Sequence, residues 1–132
     1  DRSTSIASCQ NVVWILDSGV FGPKNLAKAQ AYREYAAKEL GDAFSAIDAG
    51  WVYWSEDTLY DPDKARYFTK LATKSPKAFW RAQAFNNLGV MANYSYDLDD
   101  HLAVSRNYFE KAVEANESSE EKIDGPIPPW IR

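Results

Sequence analysis

The sequence predicts an all-α fold, and three observations carry this prediction. Alanine recurs in segments that are otherwise rich in Lys, Glu, Gln, Arg and Leu, residues with high helix propensity. Val, Ile and Thr are scattered, and no long segment alternates apolar and polar residues as a half-buried strand would. Instead, apolar residues recur at spacings of three and four, the pattern of a helix that buries one face.

Glycine, proline and aspartate residues divide the chain into six predicted helices. Proline is tolerated in the first turn of a helix, where its missing N–H breaks no hydrogen bond, and glycine commonly follows the last turn. Three dipeptides therefore predict helix starts: Gly22-Pro23, Asp61-Pro62 and Ser75-Pro76. Gly41 predicts a helix end, and the aspartates of residues 97–100 predict a turn. The helices are expected at about 5–18, 24–40, 43–57, 62–74, 77–95 and 101–116.

Several helices carry a clear candidate core. The fourth has Ala65, Phe68 and Ala72 on one face, and the sixth has Leu102, Phe109 and Ala112. A lone cysteine is more often a small core residue than a functional one, so we also expect Cys9 to be buried.

Length and composition restrict the classes of protein that fit. A chain of 132 residues that is 45% hydrophobic suits one compact domain or a short repeat array. The net charge of -4 argues against binding to nucleic-acid phosphates, and no apolar run approaches the ~20 residues of a membrane span. One Cys rules out an internal disulfide and is compatible with the periplasm and the cytoplasm alike. The sequence starts at Asp1 rather than Met, which we interpret as loss of an upstream segment, either a processed leader or residues left out by design.

An internal repeat is the most informative pattern. Residues 28–36 (Lys-Ala-x-x-Tyr-x-x-Tyr-Ala) recur at 64–72 (Lys-Ala-x-x-Phe-x-x-Leu-Ala), and residues 108–112 match 67–71. The segment Ala43 to Gly50 likewise corresponds to Ala82 to Gly89. A period of this length with two helices in each unit is typical of a helical solenoid. The two glycines are expected where the helices of a hairpin cross.

These residues resemble the Sel-one-like repeat, a longer-looped relative of the tetratricopeptide repeat. The resemblance covers residues 5–117 as three units at about 5–41, 42–76 and 77–117, within a repeat domain of residues 1–118. Trp14 stands where the first unit would carry its glycine, so the opening helix departs from the pattern. The resemblance implies a right-handed α-α superhelix of about three helix hairpins, with the first helix of each unit on the concave face.

That concave face is the predicted site for a protein or peptide partner. Aromatic side chains supply binding area at low entropic cost, and Asn side chains can hold an extended peptide backbone. The alternative is that Trp51 and Trp54 simply pack against the first unit or the tail. The predicted partner-binding residues are Phe44, Ile47, Trp51 and Trp54 in the second unit and Gln83, Asn86, Val90, Asn93 and Tyr94 in the third.

Motifs for catalysis and cofactors are weak. Asp17-Ser18-Gly19 matches the active-site tripeptide of aspartic proteases. That site requires surrounding β-strands, which this segment does not predict, so we interpret the tripeptide as a helix end. His101 is the only imidazole, which excludes multi-histidine metal sites, and we interpret it as a solvated loop residue. A phosphate-binding glycine loop and a dinucleotide fingerprint are both missing. We therefore expect no cofactor, no metal and no catalysis. The alternative is an enzyme with an unrecognised site at His101 and the acidic loop before it.

The last segment, 119–132, is predicted to hold a short capping piece and an extended proline-rich tail. Trp130 and Ile131 are too apolar for a free end, so the tail is expected to cap the solenoid or to contact another chain. The function predicted is a non-catalytic interaction module. Proteins of the resembled class include envelope scaffolds and immunity proteins that neutralise toxins.

Overall fold

The computed structural model describes residues 1–118, so the predictions for the capping segment and the tail lie outside the described residues. The described part is helical, with no strand. It contains α1 (Arg2–Ser18), α2 (Leu26–Lys38), α3 (Ala43–Ser55), a 3-10 turn (Asp57–Leu59), α4 (Pro62–Ala72), α5 (Ala78–Asn93) and α6 (His101–Ser118). The all-α prediction is therefore confirmed.

The chain divides into two compact units, Asp1–Phe68 and Thr69–Arg132. They are called unit 1 and unit 2 from here on and are distinct from the three predicted repeats. Unit 1 holds α1 to α3 and most of α4, and the described part of unit 2 holds α5 and α6. None of the helices in residues 1–118 is both long enough and apolar enough to cross a membrane.

Local capping chemistry explains the helix boundaries that were predicted correctly. Gly19, the C-cap of α1, has a φ of 68°, the left-handed conformation that glycine adopts without strain. The Asp17-Ser18-Gly19 segment is thus a helix end, as interpreted. Gly41 has the same φ, but it lies three residues past Lys38, where α2 ends with Glu39 as its C-cap. Asp61 caps α4 by accepting a hydrogen bond of 3.1 Å from the backbone N–H of Lys64, and Pro62 is the first helical residue.

Two prolines do not occupy the first helical turns predicted for them. α2 begins at Leu26, after Asn25, whose side chain accepts a hydrogen bond of 3.0 Å from the Lys28 N–H. α5 begins at Ala78, two residues after Pro76. In both cases the proline lies in the connecting segment, where its fixed φ constrains the turn before the helix rather than the helix itself.

Unit 1 packs α1 against α2 and α2 against α3. Alanines supply much of its core, because Ala29, Ala36 and Ala49 are completely buried and their small side chains allow close helix axes. Cys9 is buried as predicted. The rings of Tyr53 and Phe68 stack with centroids 5.9 Å apart and connect α3 with α4.

Unit 2 is built on the packing of α5 against α6. A Cβ on Gly89 would lie 2.5 Å from two ring atoms of Phe109, so only glycine permits this approach. The Ser105 hydroxyl donates a hydrogen bond of 2.7 Å to the Gly89 carbonyl. Phe109 and Ala112 are buried as expected. Leu102, however, is 63% exposed, because it lies in the first turn of α6 and off the face that meets α5.

Candidate functional site

The four residues predicted for the second repeat lie on one face of α3. Phe44 and Trp51 are 45% and 39% exposed, and Ile47 and Trp54 are half-buried. Their spacing of three, four and three residues places them on one helical stripe. The buried residues of α3 occupy the remaining positions and are Ser45, Ala46, Ala49, Gly50 and Tyr53. α3 therefore buries small residues on one side and presents aromatic residues at the surface on the other.

The five residues predicted for the third repeat follow α5 in the same register. Gln83, Asn86, Val90 and Asn93 are half-buried, and Tyr94, which ends the helix, is 58% exposed. The buried residues of α5 are Ala82, Ala84, Leu88, Gly89, Met91 and Ala92, and its other positions are half-buried like the predicted ones. The predicted stripe of α5 thus carries amides where the stripe of α3 carries aromatic rings, but it is no more exposed than the rest of the helix surface.

One of these amides has an unusual environment. The side-chain oxygen of Asn86 is buried and has no hydrogen-bond partner among the described residues. A buried acceptor without a donor costs about 1–3 kcal/mol. The same burial shields this oxygen from solvent, so it is not an open acceptor on the stripe.

Polar cross-links stabilise unit 1 beside the α3 stripe. The Arg33 side chain is buried and forms ion pairs with Asp17 of α1 and, at 2.7 Å, with Asp48 of α3. Gln30 donates a hydrogen bond of 2.8 Å to the Ala49 carbonyl. Arg33, on α2, therefore links α1, α2 and α3.

Tyr53 adds a second link between α2 and α3. Its hydroxyl donates a hydrogen bond of 2.9 Å to Glu34 Oε1. Burial, together with the hydrogen bond to and the charge of Glu34, raises the pKa of Tyr53 to about 12. This phenol therefore stays neutral well above the pH at which an ordinary tyrosine ionises.

A cavity that the sequence analysis did not predict lies at the turn between α1 and α2. It has a volume of about 310 Å³ and is lined by Ile15, Leu16, Phe21, Gly22, Pro23, Lys24, Asn25 and Lys28. Phe21 is 70% exposed and its ring contacts that of Trp14 at 5.7 Å. One sequence feature could have indicated this cavity. Val20-Phe21 is an apolar pair inside a turn, where polar residues are more common.

His101 lies at the start of the predicted sixth helix, as the sequence indicated, but it is not the solvated residue that we expected. It is the first residue of α6 and is half-buried. Its ring lies 5.4 Å from that of Tyr96, and its Nδ1 is buried without a hydrogen-bond partner in the described part of the chain. Asp97, Asp99 and Asp100 are all exposed. The preceding loop therefore covers the imidazole with an aromatic ring while its carboxylates face solvent.

Neither the arrangement of metal-ligating side chains nor comparison with known proteins assigns a chemistry to this chain. Among residues 1–118, no three His, Cys, Asp or Glu side chains form a group that could hold a metal ion. No protein-family model matches the chain, and no significant match is found among curated proteins or solved structures.

Proposed function

We propose that this chain is a non-catalytic module that binds a protein or peptide partner. In this proposal the three helix hairpins form a right-handed superhelix of the Sel-one-like type, and the stripes of α3 and α5 lie on its concave face. The observation that carries the proposal is the aromatic stripe of α3, with Phe44 and Trp51 exposed. Exposed large apolar groups on a folded surface commonly mark a binding site.

The matching register of α5 supports a peptide as the ligand. The two stripes are 39 residues apart in sequence, as the repeat period requires. Aromatic rings would hold apolar side chains of the partner, while Asn86 and Asn93 would pair with its backbone.

Toxin neutralisation and envelope scaffolding are the biological roles that we propose within this class. Both require a stable surface that holds one protein partner. The acidic net charge of -4 would favour a basic partner.

Site-specific photo-crosslinking in the cells that make the protein tests the proposal. Benzoylphenylalanine replaces Trp51 or Val90 as a probe of each stripe. As a matched control it replaces Tyr35, a 51% exposed aromatic residue of α2. We expect one and the same protein to be captured from positions 51 and 90 and not from position 35.

A second arm separates binding from catalysis. Trp51→Ala should lower capture from position 90 by at least about tenfold, as loss of a buried aromatic anchor does. His101→Ala should leave capture unchanged. Equal capture at all three positions, or none at 51 and 90, contradicts the proposed face. Loss of a measurable turnover in His101→Ala would favour the enzyme alternative.

A further inference from the structure

The turn between α1 and α2 combines a cavity with positive charge. Ile15, Leu16, Phe21 and Pro23 supply its apolar lining, and Lys24 and Lys28 supply ammonium groups. Neither lysine forms an ion pair within the described residues. A volume of about 310 Å³ is at the lower end of ligand sites and is more than large enough to admit one apolar side chain. The cavity therefore favours an apolar group flanked by negative charge.

The turn between α5 and α6 carries the opposite charge on a similarly apolar loop. Asp97, Leu98 and Asp99 alternate, so that one aliphatic side chain has a carboxylate on each side. Leu98 is 46% exposed and Tyr96 is 73% exposed. Both carboxylates face solvent and form no ion pair within residues 1–118.

This loop is held in a defined shape. The Leu98 N–H donates a hydrogen bond of 3.0 Å to the Ser95 carbonyl, and the buried Ser95 hydroxyl donates one of 2.7 Å to the Met91 carbonyl. The ring of Tyr96, two residues before Leu98, contacts the ring of His101 edge to face, with centroids 5.4 Å apart. A preformed loop loses little conformational entropy on binding, which favours association.

We propose that this chain self-associates head to tail, with the 97–99 loop of one copy seated in the α1–α2 cavity of a second copy. Leu98 enters the cavity, and Asp97 and Asp99 pair with Lys24 and Lys28. The two surfaces are different, so the contact is heterologous and leaves one cavity and one loop free at the ends of every open assembly, whereas a closed ring leaves none free. The contact is much smaller than the ~1,600 Å² of a stable complex, so the association is weak and depends on concentration.

Sedimentation equilibrium of the whole chain at rising concentration tests this inference, with two charge-reversed variants. The first is Lys24→Glu/Lys28→Glu and the second is Asp97→Lys/Asp99→Lys. Asp100 is left intact because its φ of 58° and its place before α6 make it structurally sensitive. We expect the mass of the wild type to rise with concentration and to fall again in high salt.

Mixing the two variants gives the decisive result. In each variant alone the cavity and the loop have the same sign, so each association constant should fall at least about tenfold. In an equimolar mixture both contacts are complementary again, and association should return to the wild-type level. Matched controls with the same change of charge are Lys70→Glu/Lys74→Glu and Glu110→Lys/Glu114→Lys, which should associate as the wild type does.

Three results would overturn the proposal. A wild type that stays monomeric to millimolar concentration excludes the contact. Association that both variants retain assigns it to another surface. If association is lost in the lysine-reversed variant but kept in the aspartate-reversed variant, the cavity binds a different segment, such as the tail. If a lysine pair at 97 and 99 perturbs folding, judged by circular dichroism, Asp97→Asn/Asp99→Asn replaces it and should still weaken association.

Discussion

Units 1 and 2 join their helices by different means. In unit 1 a buried arginine forms ion pairs with two carboxylates and thereby links α1, α2 and α3. In unit 2 the link is a close approach of α5 and α6, at which Gly89 meets the Phe109 ring. The same composition of alanine-rich helices thus supports a polar junction in one unit and a steric junction in the other.

The difference predicts that unit 1 is sensitive to the loss of a charge, whereas unit 2 is sensitive to added side-chain volume. A polar junction tolerates small changes of volume but fails when one charged partner is removed, because the remaining charges lose their compensation. A steric junction contains no charge, yet it fails on the addition of a single methyl group. Substitutions at Arg33 and Gly89 therefore separate the two kinds of junction.

Arg33→Ala should have the largest effect. It removes both ion pairs and leaves Asp17 and Asp48 without the cation with which both of them pair. Because the two carboxylates are 31% and 36% exposed, the cost is below that of a fully buried pair, about 2–3 kcal/mol in the free energy of unfolding. Urea unfolding measures it, and hydrogen exchange should show the loss of protection first in α1, α2 and α3.

Arg66→Ala is the matched control for Arg33→Ala. Arg66 also pairs with an aspartate, Asp63, at 2.8 Å, but that carboxylate is 93% exposed. Exposed pairs contribute about 0–1 kcal/mol, so this substitution should be nearly silent. Equal effects at positions 33 and 66 would show that the junction of unit 1 depends on packing rather than on charge.

Gly89→Ala should have the next largest effect. The new Cβ would lie 2.5 Å from the Phe109 ring, so the helices must separate or the ring must move, at a cost of about 1–3 kcal/mol. Thermal or urea unfolding measures the loss. The double variant Gly89→Ala/Phe109→Leu tests the cause, because a smaller side chain at 109 relieves the clash.

In the Phe109→Leu background, adding the methyl group should cost much less, and alanine's higher helix propensity, about 1 kcal/mol over glycine, should become visible. A double-mutant cycle gives the coupling directly. If the changes in the free energy of unfolding for Gly89→Ala and Phe109→Leu are strictly additive, then contact with the Phe109 ring is not the reason that residue 89 must be glycine.

The steric junction was predictable from the sequence, whereas the polar one was not. Gly89 corresponds to Gly50 in the predicted repeat and lies on an apolar stripe, so the sequence pattern predicted a helix crossing at this residue. Arg33 lies in an ordinary helical segment, and charged residues are usually exposed. Its burial depends on Asp17 and Asp48, which are 16 and 15 residues away in the chain. No local pattern shows that such distant charges meet.

The candidate site divides in the same way. The stripe of α3 followed from helical spacing, because exposed and buried residues alternate with the helix period. The cavity at Phe21 and Lys24 did not, because a turn has no period and its shape depends on how α1 and α2 pack. The partial burial of His101 was missed for the same reason, because the ring that contacts it belongs to Tyr96 of the preceding loop, whereas its position at the start of α6 was predicted correctly.

Tyr53→Phe should have the smallest effect and tests the polar junction by pH. Below pH 10 the neutral phenol donates its hydrogen bond to Glu34, and its removal should cost about 0.5–1.5 kcal/mol. The pKa of Tyr53 is raised in the folded state from 10.0 to about 12. The folded state therefore binds the proton more tightly than the unfolded state, and this stabilisation is complete below pH 10 and is lost as the pH rises toward 12.

The wild type should consequently lose more stability between pH 10 and pH 12 than Tyr53→Phe does, and the two unfolding curves should converge at the alkaline end. Tyr108→Phe is the matched control, because it removes a phenol from unit 2, where the ring of Tyr108 stacks on Phe85 and the junction contains no ion pair between α5 and α6 in the described residues. Chemical unfolding at stepped pH supplies the measurement. Parallel pH profiles for the wild type and Tyr53→Phe would contradict the role assigned to Glu34 and would leave Arg33 as the charged link of unit 1.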